Sequence, residues 1–336
     1  MGMDNLLFEM QAIVITRPGG PEVLKLEERP KPEPGVGQIR VRVRASALNR
    51  ADIMQREGNY PVPAGAPADI SGMEYAGEVD AIGPSSTFWK VGDRVMGIVG
   101  GGGHAEYLCV HEREAMPAPS TLSWEEVAAI PEAFLTAYDA LFRRIGLRTG
   151  ETVLIHAVAS GVGTAALQLA LVSGANPVGT SRSAAKLERA KQLGLEIGID
   201  ASREDWVSQI EKSIGVDRIH VILDLVGAPY LDANLRLLGL RGRMVVVGLT
   251  AGAQGQLNMG VLLRKRLTVV GTVLRARPIE EKIALAREFS ERIIPFFDNG
   301  RLRPVIDRVF SFAEIRAAHE LMESNETFGK IALRWG

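Results

Sequence analysis

Residues 152–186 read TVLIHAVASGVGTAALQLALVSGANPVGTSRSAAK, and this stretch decides the fold. Thr152-Val153-Leu154-Ile155 is a short apolar run rich in β-branched residues, the pattern of a buried strand. A tight small-residue turn follows, Ala157-Val158-Ala159-Ser160-Gly161-Val162-Gly163, and then Val162, Ala165, Ala166, Leu169 and Ala170 recur at helical spacing. A helix opened by such a turn offers first-turn N–H groups that have no internal partner and carry partial positive charge, which suits a diphosphate. A second strand, Pro177-Val178-Gly179-Thr180, comes at the distance of a βαβ unit. The stretch predicts a dinucleotide-binding core.

The remaining sequence sets limits on that core. At 336 residues the chain exceeds what one core usually fills, so two domains are expected. The formal net charge of −1 marks neither a nucleic-acid surface nor a polybasic membrane patch. No apolar run approaches the ~20 residues that span a bilayer. The opening MGMDNLLFEMQ lacks a basic flank before a long apolar stretch and does not read as a secretory signal. A single cysteine, Cys109, excludes an internal disulfide and any multi-cysteine metal site. The chain reads as a cytoplasmic enzyme with no nucleic-acid or membrane partner.

The first third reads as β-rich. Ala12-Ile13-Val14-Ile15 runs into the turn Pro18-Gly19-Gly20-Pro21, and Ile39 to Ala45 alternates apolar residues with arginines, as a half-buried strand with a solvated face does. Gly100 to Gly103 resembles a phosphate loop but precedes the alternating Ala105–Val110, so a hairpin or mobile loop is expected there. Cys109 reads as a packed small residue, and His104 and His111 receive no role.

The segments ALNRADIMQREGNY (47–60), IPEAFLTAY (130–138), LIHAVASGVGTAALQL (154–169) and FGKIAL (328–333) together resemble the medium-chain dehydrogenase/reductases, and within them the NADPH:quinone oxidoreductase branch of the p53-inducible type. The resemblance implies an α/β chain with a GroES-like β-rich substrate domain over 10–130, a doubly wound Rossmann cofactor domain over 131–285, and a segment 286–336 returning to the first domain. It implies a cleft with the nicotinamide at its base. Zinc-dependent relatives carry a catalytic cysteine where this chain has Asn49, and a histidine in a Gly-His-Glu triplet where it has Gly72-Met73-Glu74. Neither Asn nor Met suits Zn²⁺, which favours thiolate and imidazole, so no metal is expected.

The glycine turn places Val158, Ser160 and Gly163 at the three positions of GxGxxG, and only the third keeps its glycine. Ser160, Gly161 and Val162 are the expected diphosphate contacts. About 20 residues beyond, an NAD site places an acid on the ribose. Here Thr180-Ser181-Arg182-Ser183-Ala184-Ala185-Lys186 has none. Ser181, Arg182 and Lys186 suit a 2′-phosphate and point to NADPH, although Arg182 and Lys186 also fit a solvated helix face. A tyrosine that covers this phosphate in the family is replaced by Ala201.

Further cofactor contacts are expected at strand ends: Val226 and Gly227 after the strand 219–224, Gly248 and Leu249 after 243–247, and Leu274 closing the last strand, 267–274. Asp224 reads as structural. From the family pattern, Thr136 faces the nicotinamide, with helix packing as the alternative. Lys330 contacts cofactor or is a plain surface lysine. Exposed, so apolar a last strand would be an aggregation hazard; family members commonly pair it across a two-fold axis, so the resemblance implies a homodimer.

The chemistry so implied is hydride transfer from nicotinamide C4 to a quinone, with solvent supplying the proton. Asn49 would bond the substrate oxygen or the nicotinamide ribose. Tyr60 would donate to the developing oxyanion or simply cover the core. Two alternatives stay open. One is reduction of an alkenal, enone or enoyl thioester on the same fold. The other is a non-enzymatic role, since some relatives serve as lens proteins or bind RNA.

Overall fold

The structure is a computed structural model that describes residues 9–335. Most of the N-terminal stretch read above for a secretory signal lies outside them. The chain divides into two compact units: a β-rich unit up to Leu135 that resumes at Leu274, and a contiguous unit Thr136–Val273.

The β-rich unit begins with β1 (Glu9–Ile15) and β2 (Leu24–Pro30), an antiparallel pair, followed by β3 (Gln38–Leu48) and the short helix α1 (Arg50–Arg56). Then come β4 (Glu74–Ile82), β5 (Arg94–Ile98), β6 (Tyr107–His111), β7 (Met116–Pro117), α2 (Trp124–Ala128) and α3 (Pro131–Tyr138), whose residues from Thr136 on belong to the contiguous unit. On β3, Ile39, Val41 and Val43 are buried against Tyr75, Val79, Val95 and Leu108, each such side chain contributing about 1.5–3 kcal/mol. The arginines between them face outward, where Arg40 meets Asp80 and Arg44 meets Glu78, both at 2.7 Å. Ser123 and Glu126 close α2 with the reciprocal bonds of a capping box.

The glycines at 100–103 form neither a hairpin nor a mobile loop. Gly101 to Gly103 are buried, and the N–H groups of Gly102, Gly103 and His104 bond to the carbonyls of Ile70, Gly72 and Ser71. A side chain would not fit at Gly103, where a Cβ would lie 2.5 Å from Glu74 O.

The contiguous unit is the expected Rossmann fold. Its strands β8 (Thr152–Ile155), β9 (Asn176–Ser181), β10 (Ile197–Asp200), β11 (Ile219–Asp224), β12 (Leu238–Val246) and β13 (Thr268–Gly271) form one parallel sheet in the order β10-β9-β8-β11-β12-β13. Helices α4 (Gly161–Val172), α5 (Ala184–Gln192), α6 (Trp206–Ile214), α7 (Leu231–Leu237) and α8 (Met259–Lys265) connect them. Strand order reverses between β8 and β11, the point where open α/β sheets bind ligands. Leu154, Val178, Ile199, Ile222 and Met244 share its core.

The chain then rejoins the β-rich unit through α9 (Ile279–Arg292), α10 (Ile294–Asp298), β14 (Ile306–Ser311), α11 (Ile315–Glu323) and β15 (Lys330–Arg334). That unit's sheet runs β14-β15-β3-β4-β5-β7, with β6 also on β3.

Three local differences from the sequence reading have physical causes. Residues 279–299 read in sequence as one long helix, but they form two, because Pro295 has no N–H and sits in the first turn of the second. The last strand of the sheet stops at Gly271 rather than Leu274. Residues 274–285 belong to the β-rich unit, where Arg275 bonds Gly100 O and Gln55, and Lys282 meets Glu114 at 2.8 Å.

Candidate active site

In the contiguous unit, β8 delivers the chain to the glycine turn. His156, the first residue past the strand, is fully buried, its ring nitrogens 2.9 Å from Thr180 Oγ1 and 2.7 Å from Asn234 Oδ1. Ala157 then takes a left-handed φ of 48°, and Ser160 caps α4 by accepting from Gly163 N at 3.0 Å. Gly163 has no room for a side chain: a Cβ would lie 2.3 Å from Ala157 O. Two tasks thus fall on Ser160 and Gly163, capping and close packing. Gly161 and Val162 open the helix with first-turn N–H groups of the kind that bind anions.

At the end of β9, Ser181 is buried and its Oγ accepts from Ser183 N at 3.2 Å. Ser183 caps α5 through Lys186 N, at 3.4 Å. Arg182 is exposed at the turn and Lys186 is half-buried one turn into the helix. Ala201 N bonds Ser181 O at 2.9 Å, so the residue expected to be a covering tyrosine is placed beside this turn as a methyl.

Asp224 serves the turn after β11. Its Oδ1 accepts from Val226 N and Gly227 N at 2.8 and 2.9 Å, and its Oδ2 accepts from Asn234 at 3.2 Å. The N–H groups of Val226 and Gly227, expected to face cofactor, are therefore engaged with Asp224. Gly248 packs with a Cβ position 2.8 Å from Leu225 O, and Leu249 is exposed. Leu274 is buried in the β-rich unit, away from the strand it was expected to close.

The β-rich unit gathers a buried polar cluster. Asn49 ends β3 and begins α1, its N–H bonded to Asp52 Oδ2 at 2.8 Å. Its amide Nδ2 donates to Glu74 Oε1 at 2.8 Å and Ala47 O at 3.2 Å. Lys330 is no surface residue: it is 4% exposed, and its ammonium donates to Asn49 Oδ1 at 2.6 Å, Glu74 Oε1 at 2.7 Å and Leu48 O at 3.0 Å. Those three bonds use its three N–H groups, so a cofactor contact by Lys330 has no donor left here.

Glu74 Oε2 accepts from Glu132 N at 2.8 Å, tying the start of α3 to β4. Burial pushes the Glu74 carboxyl up, while the Lys330 ammonium, the Glu132 N–H and the Asn49 amide pull it back. Glu132, partly buried beside that charge, is pushed up to about 8, first by burial and then by Glu74. Thr136 is buried on the same helix.

Tyr60 is half-buried, and Arg275 Cζ lies 4.7 Å from its ring centroid. Burial, then Glu132, pushes the phenol up. Sequence reasoning missed Glu74, Glu132 and Arg275 as site residues. Glu132 stands inside a segment quoted for the family resemblance and Glu74 in the triplet compared with zinc-dependent relatives, whereas Arg275 carries no local signal. Among the described residues no group of three or more His, Cys, Asp or Glu could hold a metal ion, and no helix is long and apolar enough to cross a membrane.

Two families match the chain: the alcohol dehydrogenase GroES-like domain over residues 35–120, and the zinc-binding dehydrogenase domain over 161–291. A quinone oxidoreductase of Pseudomonas aeruginosa is 33% identical over 94% of this chain and 96% of its own length. Among solved structures, an NAD-dependent alcohol dehydrogenase is 32% identical with a TM-score of 0.85, covering 97% of this chain and 100% of its own. The CurK enoyl reductase is 26% identical with a TM-score of 0.86, covering 98% and 99%. With a GroES-like unit, a parallel Rossmann sheet in which the order reverses at a glycine turn, and these relatives, the chain belongs to the medium-chain dehydrogenase/reductase family, as an NAD(P)-dependent oxidoreductase of the quinone oxidoreductase type.

Proposed function

We propose that this protein is an NADPH-dependent, zinc-independent quinone reductase. The observation that carries the reading is the Asn49–Lys330–Glu74 arrangement. In the positions where zinc-dependent relatives place a thiolate and an imidazole, this chain has a carboxamide and a thioether. The carboxamide is already bonded to Lys330, Glu74 and Ala47. That donor set does not fit Zn²⁺, and an alcohol without a Lewis acid is a poor hydride donor. A quinone needs no such activation, because it accepts hydride readily and its reduced anion is weakly basic. Catalysis then rests on orientation of donor against acceptor.

In this reading NADPH supplies the hydride. Gly161 and Val162 hold its diphosphate from the start of α4, and Ser181, Arg182 and Lys186 hold its 2′-phosphate. Thr136, Gly248 and Leu249 line the nicotinamide end. Asn49 Oδ1 keeps one lone pair for a ribose hydroxyl, while both amide hydrogens are engaged within the cluster. Tyr60 donates to the acceptor oxygen. Edge strand β13, with Val269 exposed, pairs with a second copy, and a V269K variant that stays dimeric on sedimentation would remove that pairing.

The test is an NADPH-oxidation screen over ortho-quinones, para-quinones and alkenals, repeated with NADH and after treatment with a chelator. Quinone turnover that survives chelation and prefers NADPH is expected. Alkenal turnover well above quinone turnover would favour the second reading, an enoyl-type reductase. That reading draws support from Glu132, a carboxyl that keeps its proton near neutrality, since alkene reduction must also protonate the α-carbon. Failure to oxidise NADPH with every acceptor, despite tight cofactor binding, would return the protein to a binding role.

A further inference from the structure

Arg275 is buried, at 7% exposed, and two of its three guanidinium nitrogens are fully engaged. Nε donates to Gly100 O at 2.9 Å, and Nη2 donates to the same carbonyl and to Gln55 Oε1, both at 2.6 Å. These bonds fix the guanidinium plane from two separate segments of the β-rich unit. Nη1 is buried and has no hydrogen-bond partner. The face of the group lies over the Tyr60 ring, which satisfies charge above the plane but gives Nη1 no acceptor within it. A guanidinium cannot relieve the deficit by losing its proton. A buried charged donor left without a partner is costly, and such orphans call for an absent acceptor.

Other side-chain atoms among the described residues are orphaned too. Tyr75 Oη and the Nε2 atoms of His104 and His319 belong to fully buried rings, Trp335 Nε1 to a ring stacked on Phe312, and Arg94 Nε to a guanidinium that donates to Leu122 O through Nη2 and lies over the Trp124 ring. Arg275 alone among these is a permanent cation against the tyrosine assigned to the acceptor.

We propose that Nη1 of Arg275 is the oxyanion donor of this site, with Tyr60 beside it, and that it takes the carbonyl oxygen of the acceptor. The inference rests on the reading of the protein as a reductase of electron-poor carbonyl acceptors. A bound reduced nicotinamide would supply the hydride and be left as its pyridinium form, and the acceptor would gain the hydride with its electron pair. The pair displaced through the conjugated system collects on the carbonyl oxygen, where Nη1–H donates to it. Water then protonates the reduced product. Quinones and enones both place that charge on oxygen, so one donor serves either class. A preorganised donor aimed at developing charge acts without rearrangement, and the bonds to Gly100 and Gln55 supply that preorganisation.

The test uses the protein with NADP⁺ bound and 4-nitrophenol as probe, because its phenol and phenolate absorb at different wavelengths. The bound probe is expected to ionise about tenfold more readily than in water, a shift of ~1 pH unit, and R275Q is expected to abolish the shift. A probe that fails to bind, or that ionises no more readily than in water, overturns the proposal with wild-type protein alone. In turnover, R275Q should lose roughly 100-fold in kcat/KM for the acceptor, with the KM for NADPH unchanged. R275K should fall between, and added guanidinium should restore R275A. An R275Q protein with wild-type melting and kcat/KM within threefold of wild type also overturns it. The phenolate shift needs no turnover, so an intact shift alongside inactivity towards every acceptor would sink the reductase reading and leave the anion site standing.

Discussion

The Lys330 ammonium donates to Glu74 Oε1 at 2.7 Å across 256 residues of sequence, with both side chains buried. Breaking a buried pair leaves an uncompensated charge and costs about 3–5 kcal/mol, whereas removing both partners costs much less. E74Q and K330M should each lower the melting temperature markedly, and E74Q/K330M should lie well above the sum of the two. Thermal denaturation of the four proteins closes this cycle. Additive losses would mean that the pair is not coupled.

Glu132 should give stability a distinctive pH dependence. Its folded value of about 8 lies above the unfolded value of 4.5, so between these limits the native state binds the proton that the unfolded chain has lost. Stability from this group is full below pH 4.5, declines as pH rises towards 8, and is then flat. E132Q should therefore match wild type at pH 5 and melt higher at pH 8.5. Equal differences at both values would refute the assignment.

The buried histidines act in the opposite direction. Burial lowers the values of His104 and His319 below 6.5, so acid protonates them in the unfolded chain first. Stability is lost as pH falls below about 6.5. Replacing His319 with Gln should flatten the acid limb of a melting-temperature profile; an acid limb of unchanged slope would place the loss elsewhere.

Gly163 leaves no space between α4 and the turn before it. G163A forces α4 off β8, a cost of about 1–3 kcal/mol by overpacking, and moves the N–H groups of Gly161 and Val162. NADPH affinity, read by fluorescence titration, should fall together with melting temperature. Full affinity in a folded G163A protein would remove the turn from the cofactor site.

Arg182 and Lys186 should decide between the two nicotinamide cofactors. Charge-assisted bonds to a phosphate contribute about 1.5–3 kcal/mol each, so R182A/K186A, which removes two, should lose roughly 100- to 10,000-fold in affinity for NADPH and change little towards NADH. Equal losses with both cofactors would show that the pair serves the fold, not the 2′-phosphate.

The Rossmann unit was legible because its signals are local: β8, the glycine turn and α4 are contiguous, and the packing of Gly163 follows from that succession. The polar cluster was only half legible. Asn49 and Tyr60 lie in one motif, but the partner that orients Asn49 arrives on β15, and no spacing rule links Lys330 to Glu74. Arg275 was hidden for a similar reason. An apolar run from Leu267 to Leu274 looks like one strand, yet the chain leaves the sheet at Gly271 and enters another unit three residues later. Pro295 was visible and should have split the helix around it.

Strand β15 lies between β14 and β3 in the interior of its sheet, and it follows the entire contiguous unit in the chain. During synthesis the cofactor-binding half can therefore be complete while the other half still lacks an inner strand and the cation that neutralises Glu74. Until residues 306–334 emerge, β3 has an open edge and a buried acid without its counter-charge. The nascent protein is then a folded nucleotide domain tethered to an unfinished partner, which makes the β-rich half the point at which chaperones and proteases decide its fate.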